Sequence, residues 1–179
     1  MDRSTLRLFF ALWPESQTRG QLDLVAREVA LETGGRAVAT DNLHLTLVFL
    51  GERPAELVAR LSDIAAGIEC AAFTLHLDDV GHWRKTGLAW LSTHAPSTEL
   101  TGLQHALVQA LAGAGVEQEA RPFAPHVTLA RRIGNIVRRR LASPISWNID
   151  SFSLVKSELG REGARYHVLG TWPLRAGVR

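Results

Sequence analysis

Apolar residues fall into two alternating kinds of stretch in the first third of the chain. Nearly continuous apolar runs at residues 6–13 and 43–51 predict buried strands. After each run, apolar positions recur at helical spacing, over residues 15–32 and residues 54–68. This part of the chain therefore predicts the order strand, helix, strand, helix.

The same order of elements recurs further along the chain. Two strands at residues 73–80 and 87–93 complete the first set. The second set has a helix, a strand, a short helix and two strands, predicted at residues 97–114, 125–130, 135–141, 152–155 and 166–172. The order helix, strand, helix, strand, strand thus occurs twice, which indicates internal duplication. We expect residues 1–179 to form a single domain of two pseudo-symmetric lobes, with related strands facing one groove.

Composition limits the class of protein but does not identify its function. The chain has 179 residues, 46% of them hydrophobic, which is enough for a substantial core. No stretch approaches the ~18 apolar residues of a membrane span, so we expect a cytoplasmic protein that has no contact with a membrane. A single cysteine, Cys70, excludes an internal disulfide and a multi-cysteine zinc site.

Charge is mildly positive and unevenly distributed. The net charge of +2 permits an anionic ligand but does not identify one. Positive charge concentrates late in the chain, at Arg131, Arg132, Arg138, Arg139 and Arg140. This cluster could hold a phosphate backbone, or it could be a solvated helix face.

Two His-x-Thr tripeptides, each on a predicted strand, carry the candidate chemistry. On a strand, residues i and i+2 share a face, so His44 pairs with Thr46 and His126 pairs with Thr128. Burying such polar groups without partners costs roughly 1–3 kcal/mol each, so two copies in equivalent positions favour a wet functional cleft. Coincidence and a metal site remain alternatives, although a metal site needs further ligands.

The two pairs suit the opening of a cyclic phosphodiester. That reaction needs a base for the attacking water, an acid for the departing oxygen, and donors for the charge on phosphorus. His44 and His126 can supply the acid and the base, and the two threonine hydroxyls can bind non-bridging oxygens. Arg131 can add a guanidinium. No metal, cofactor or covalent intermediate is required.

Trp83 is a further candidate for substrate binding. It lies in a predicted hairpin loop between two strands, beside Gly81, His82 and Arg84. Its indole ring could stack on a base, a contact worth ~1–3 kcal/mol, or it could cover the end of the sheet.

The motifs resemble the 2H phosphoesterase superfamily, which has two H-x-[ST]-x motifs. The closer resemblance is to bacterial and archaeal RNA 2′,3′-cyclic phosphodiesterases, historically called 2′-5′ RNA ligases. It covers nearly the whole chain and is carried by these segments: RLFFAL from Arg7, NLHLTL from Asn42 with FLG from Phe49, PHVTLAR from Pro125, and SEL from Ser157.

The resemblance implies a bilobal α+β fold with antiparallel sheets around a central cleft. It implies hydrolysis of an RNA or nucleoside 2′,3′-cyclic phosphate to a 2′-phosphate, with weak reversible ligation of tRNA halves. The family's catalytic roles fall on His44 and His126, and its substrate contacts on Thr46, Thr128 and Arg131. No cofactor and no obligate protein partner is expected. The loop at Lys85 and Thr86 departs from other members, which leaves base and length preference open.

Three rival functions remain open at this point. Another small cyclic phosphate, such as ADP-ribose 1″,2″-cyclic phosphate, would use the same side chains. A noncatalytic RNA-binding module would keep the arginines but would not need two matched His-Thr pairs. A zinc-dependent hydrolase would lose its activity on chelation.

Overall fold

The computed structural model describes residues 4–95, 97–118, 122–160 and 163–175. The helices of this part are α1 (Ser16–Thr33), α2 (Leu57–Ala66) and α3 (Thr98–Gly113), with a 3₁₀ turn at Thr40–Asn42. The strands are β1 (Thr5–Leu12), β2 (Arg36–Ala37), β3 (Leu45–Pro54), β4 (Phe73–Trp83), β5 (Leu88–Ser92), β6 (Val127–Arg131), β7 (Arg139–Ile149), β8 (Ser151–Gly160) and β9 (Gly163–Pro173).

Eight of the nine strands form one continuous antiparallel path in the order β7-β4-β5-β6-β3-β1-β8-β9, and β2 pairs with β6. The path narrows at its centre, where β3 and β6 are joined by one residue pair, Leu45 opposite Val127. Four strands therefore lie on each side of this junction. The predicted α+β class with antiparallel strands is confirmed.

Each side of the junction combines strands from distant parts of the chain. Strands β4 and β5 lie beside β6, whereas β8 and β9 lie beside β1. Helix α1 packs against β6 and β7, while α2 and α3 pack near β3. The two lobes are thus not the two halves of the sequence, and the pseudo-twofold relation between them stays a prediction.

The prediction of a short helix at residues 135–141 is wrong. Strand β7 begins at Arg139, and its first residues pair with Val80 and Asp79 of β4. The strand then buries every second residue, at Ile145, Trp147 and Ile149, so its apolar period is two. The strict repeat of helix, strand, helix, strand, strand therefore fails in its second copy.

Two predicted element boundaries also differ from those in the structure. Pro54 is the last residue of β3, where it pairs with Thr5, and α2 begins three residues later. Strand β4 continues to Trp83, which pairs with Leu88, so Trp83 lies on a strand and not in the hairpin loop.

Alternation along β3 and β6 determines where the polar pairs point. Leu45 and Val127 are fully buried in the core, as is Leu129, and Leu47 is nearly so. Burying such a side chain contributes roughly 1.5–3 kcal/mol, which fixes the register of both strands. The residues between them must then face the opposite side of the sheet. Within the described ranges, no helix has the length and apolar character needed to cross a membrane.

Candidate active site

The two motif histidines flank the narrow junction of the sheet. His44 and His126 directly precede Leu45 and Val127, the residues that pair β3 with β6. They are close enough for the charge of His126 to lower the pKa of His44.

Three adjoining cavities meet at this junction, and each contains motif side chains. The central chamber, about 360 Å³, is lined by residues including Arg7, His44, Thr46, Arg131 and Tyr166. The arginine chamber, about 440 Å³, is lined by residues including Arg36, His44, Thr128, Arg131 and Arg132. The amide chamber, about 590 Å³, is lined by residues including Thr46, Gln104, Gln118, Phe123 and His126. The shared lining residues connect the chambers into one cleft.

The imidazole of His44 is held in one tautomer. Its Nδ1 lies 2.7 Å from the backbone oxygen of Asn42, and because a carbonyl only accepts, Nδ1 carries the proton. The other nitrogen, Nε2, lies 3.2 Å from Oγ1 of Thr46. In the neutral ring, Nε2 is therefore a proton acceptor beside the threonine hydroxyl.

Three aromatic rings surround His44. Trp13 stacks on it with ring centroids 5.1 Å apart, Tyr166 presents an edge at 5.0 Å, and Phe9 lies at 5.2 Å. Burial lowers the pKa of His44 to about 4, and the positive charges of His126 and Arg131 act in the same direction. The hydrogen bond to Asn42 opposes this shift without cancelling it. His44 is therefore neutral at physiological pH.

His126 makes a similar hydrogen bond but contacts fewer aromatic rings than His44 does. Its Nδ1 donates to the backbone oxygen of Ala124 at 2.8 Å, which leaves Nε2 as the free nitrogen. The ring of Trp83 meets it edge-on, with centroids 4.5 Å apart. Burial lowers the pKa of His126, and Arg131 lowers it further, against the effect of the Ala124 hydrogen bond.

The predicted arginine cluster divides into two groups. Arg139 binds Glu28 at 2.7 Å and Glu32 at 3.3 Å, and Arg140 binds Asp78. These two guanidinium groups are neutralised by carboxylates outside the cleft, and Arg138 is exposed and lines none of the three chambers. Only Arg131 and Arg132 of the cluster line the cleft. The alternative of a solvated helix face is wrong, because Arg139 and Arg140 lie on strand β7, and a phosphate contact at Arg131 and Arg132 stays a prediction.

The sequence and the structure of this chain are both similar to those of known proteins. Residues 14–161 match the model of the 2′-5′ RNA ligase superfamily. The chain belongs to this superfamily. It is 38% identical over 171 residues to an RNA 2′,3′-cyclic phosphodiesterase of Escherichia coli, covering 94% of this chain and 96% of that protein. It is 32% identical to an RNA 2′,3′-cyclic phosphodiesterase of Thermus thermophilus, covering 95% of this chain and 91% of that protein.

A solved structure is similar over the same extent. The Escherichia coli protein LigT in complex with 3′-AMP superimposes with a TM-score of 0.86 at 37% identity, covering 96% of this chain and 99% of that chain. The similarity thus includes both sides of the sheet junction and the cleft between them.

Among the residues absent from the candidates drawn from the sequence are Trp13, which stacks on His44, and Tyr166 and Arg36, which line the cleft. Trp13 follows directly on the first apolar strand, where a tryptophan is typical of a core, and Tyr166 lies far from either motif. Arg36 follows Gly34 and Gly35, a pair that signals the end of a helix and nothing more. The sequence signals near them were the opening run of the family pattern, which ends one residue before Trp13, and the family's closing strand, which begins at Tyr166.

Proposed function

We propose that this chain hydrolyses RNA 2′,3′-cyclic phosphate ends to 2′-phosphates, with His44 and His126 as the acid-base pair. The observation that carries the proposal is the matched tautomer of the two rings. Each Nδ1–H is engaged by a backbone carbonyl two residues earlier, which leaves each Nε2 as the nitrogen available for proton transfer, with Oγ1 of Thr46 beside that of His44. A general base and a general acid need this arrangement.

The difference in surroundings supports an assignment of the two roles. His44 has a pKa of about 4 and is neutral, so it can accept a proton from water. His126 is less enclosed by aromatic rings, and an anionic phosphate beside it would favour its charged form. We therefore assign His44 as the base and His126 as the acid.

The reaction then proceeds as an in-line displacement at phosphorus. Water attacks the cyclic phosphate while its proton passes to Nε2 of His44. The bond from phosphorus to O3′ breaks, and O3′ takes the proton from Nε2 of His126. The product carries a 2′-phosphate and a free 3′-hydroxyl, and solvent resets both rings. The same displacement with an RNA 5′-hydroxyl in place of water forms a 2′-5′ phosphodiester and a free 3′-hydroxyl, which is a weak 2′-5′ ligation.

Thr46, Thr128 and Arg131 are proposed as the groups that hold the phosphate. Both hydroxyls face the cleft, and Arg131 lines two of its chambers. Hydrogen bonds from these donors to non-bridging oxygens would strengthen as negative charge develops in the transition state. Trp83, in contact with His126, is proposed to stack on a base of the RNA near the ribose that carries the cyclic phosphate. RNA in the cytoplasm is the proposed substrate.

The experiment uses adenosine 2′,3′-cyclic phosphate and an oligoribonucleotide with a cyclic phosphate end, both in excess EDTA. We expect turnover to adenosine 2′-phosphate and to a 2′-phosphate end. His44→Ala and His126→Ala should each lower kcat by roughly 10²–10⁴-fold, the usual contribution of a positioned acid or base. His105→Ala, at an exposed position of α3, is the matched control.

Each rival function predicts a different result in this assay. A zinc-dependent hydrolase would lose activity in EDTA, and a noncatalytic module would bind RNA without turnover. Adding ADP-ribose 1″,2″-cyclic phosphate to the panel tests the remaining rival, which requires a higher kcat/KM for that compound. Near-normal activity of either alanine variant would contradict the two-histidine mechanism.

A further inference from the structure

Two arginines face each other in the arginine chamber. Arg36 of β2 is the direct antiparallel partner of Arg131 of β6, and both line the chamber together with Arg132. Like charges directly opposite on neighbouring strands are destabilising. Among the described residues, these three arginines have no hydrogen-bond or ion-pair partner, unlike Arg139, which binds two glutamates. In the described part of the chain, the fold therefore keeps three exposed arginine side chains around one chamber without a carboxylate partner.

The backbone is built to allow this arrangement. A Cβ at Gly35 would lie 2.9 Å from the backbone oxygen of Arg131, so only glycine lets β2 approach β6 this closely. Arg132 has a φ of 54°, the only positive φ of a non-glycine residue in the described part of the chain. Such left-handed residues are costly and gather at binding sites.

The chamber is continuous with the proposed reaction site and differs from the amide chamber. It contains His44 and Thr128 beside the arginines, and no aspartate or glutamate stands among its described lining residues. The described lining of the amide chamber has no arginine or lysine, and instead offers Gln104, Gln118 and aromatic rings. The first chamber suits an anion and the second suits a neutral heterocycle.

We propose that Arg36 and Arg132, beside Arg131, form a second phosphate subsite. The subsite would hold the phosphate at the 5′ position of the terminal nucleotide, whose 2′,3′-cyclic phosphate reacts. Both phosphates are attached to the same ribose, so the two phosphate sites must adjoin each other. This inference rests on the proposed function and adds a substrate preference. The enzyme favours RNA ends and 5′-phosphorylated nucleotides over cyclic nucleotides with a 5′-hydroxyl.

The test compares kcat/KM for three substrates in EDTA at fixed ionic strength. They are adenosine 2′,3′-cyclic phosphate with a 5′-hydroxyl, the same compound with a 5′-phosphate, and the dinucleotide ApA with a 2′,3′-cyclic phosphate. The compound with a 5′-phosphate tests binding of a terminal phosphate, and the dinucleotide tests binding of an internucleotide phosphate. For the natural sequence, we expect each of the last two to exceed the first by about tenfold, as one charged hydrogen bond provides.

Substitution separates the subsite from general electrostatics. Arg36→Gln and Arg132→Gln should each bring both ratios to within about twofold of one, since the charged hydrogen bond is lost. Arg138→Gln removes the same charge from an exposed position outside the three chambers and should leave the ratios unchanged. Arg36→Lys keeps the charge without the planar fork and should give intermediate ratios.

Stability provides a second measurement. Because Arg36 and Arg131 repel each other, Arg36→Gln should have an equal or higher Tm than the natural sequence. A clearly lower Tm would show that Arg36 stabilises the fold and would contradict the subsite. Ratios near one in the natural sequence, or an equal loss in Arg138→Gln, would overturn it as well. All three results leave the proposed hydrolysis intact, because that proposal is tested separately by turnover in EDTA and by the two histidine variants.

Discussion

The indole ring of Trp13 lies flat against the imidazole of His44, with 2° between the planes and 5.1 Å between the centroids. A charged imidazole would gain a cation–π contact there, worth about 0.5–2 kcal/mol. Burial acts in the opposite direction and lowers the pKa of His44 to about 4, and a fall from 6.5 corresponds to roughly 3 kcal/mol in favour of the neutral ring. Enclosure by Trp13 is part of the burial that favours the neutral form of His44.

Removing the indole should raise the pKa of His44. In Trp13→Ala, water reaches the imidazole, and we expect its pKa to move from about 4 toward the ordinary value of 6.5. Titration of the His44 ring by NMR measures this directly. Trp13→Phe retains a ring at the same place and should shift the pKa less. An unchanged pKa in Trp13→Ala would mean that other neighbours enclose His44.

The pH dependence of catalysis should follow from the two lowered pKa values. His44 must be neutral, so kcat/KM should rise with pH through about 4. His126 must be charged, and its pKa lies below 6.5 in the free protein, so kcat/KM should fall again before neutrality. We expect a bell with its maximum below pH 6.5, unaltered by EDTA.

The same profile checks the assignment of base and acid. Trp13→Ala should move only the acidic limb, toward higher pH, because Trp13 contacts His44 and not His126. Movement of the alkaline limb alone would reverse the two roles. A plateau at high pH that disappears with chelator would instead indicate a metal-bound hydroxide.

The sequence predicted which side chains share a face with the motif histidines better than it predicted the elements around them. The His-x-Thr pairs could be placed because strand alternation is local, so His44 and Thr46 share a face wherever the strand pairs. The junction of β3 with β6 and the exchange of strands between the two sides depend on contacts between distant residues. Arg36 shows the difference most clearly, since nothing near it in sequence indicates that it lies opposite Arg131.

Gly81 should be essential for the packing behind His126. A Cβ there would lie 2.3 Å from Cζ2 of Trp90, whose ring contacts Trp83 at 5.8 Å, and Trp83 in turn contacts His126. Gly81→Ala should therefore displace both indoles and destabilise the fold by about 1–3 kcal/mol. Turnover should fall as well, because His126 loses its neighbour.

A glycine in open space serves as the control for this prediction. Gly102 lies on an exposed face of α3 with nothing within 4 Å of an added Cβ. Gly102→Ala should raise the free energy of unfolding by roughly 0.5–1 kcal/mol through helix propensity, with normal turnover. Denaturant unfolding measures both variants. Equal stability of the two would show that Trp90 can move without cost.

Stability at mildly acidic pH should depend on His44. Its pKa is 6.5 when unfolded and about 4 when folded, so the unfolded state binds the extra proton between these values. The contribution of His44 is complete above pH 6.5 and is lost as pH falls toward 4. Between pH 7 and pH 5 this amounts to about 2 kcal/mol. In His44→Ala the free energy of unfolding should fall less over that interval, by this amount, whereas the exposed control His105→Ala should follow the natural sequence. Parallel urea titrations at both pH values decide it, and equal losses in all three proteins would show that His44 is hydrated in the folded state.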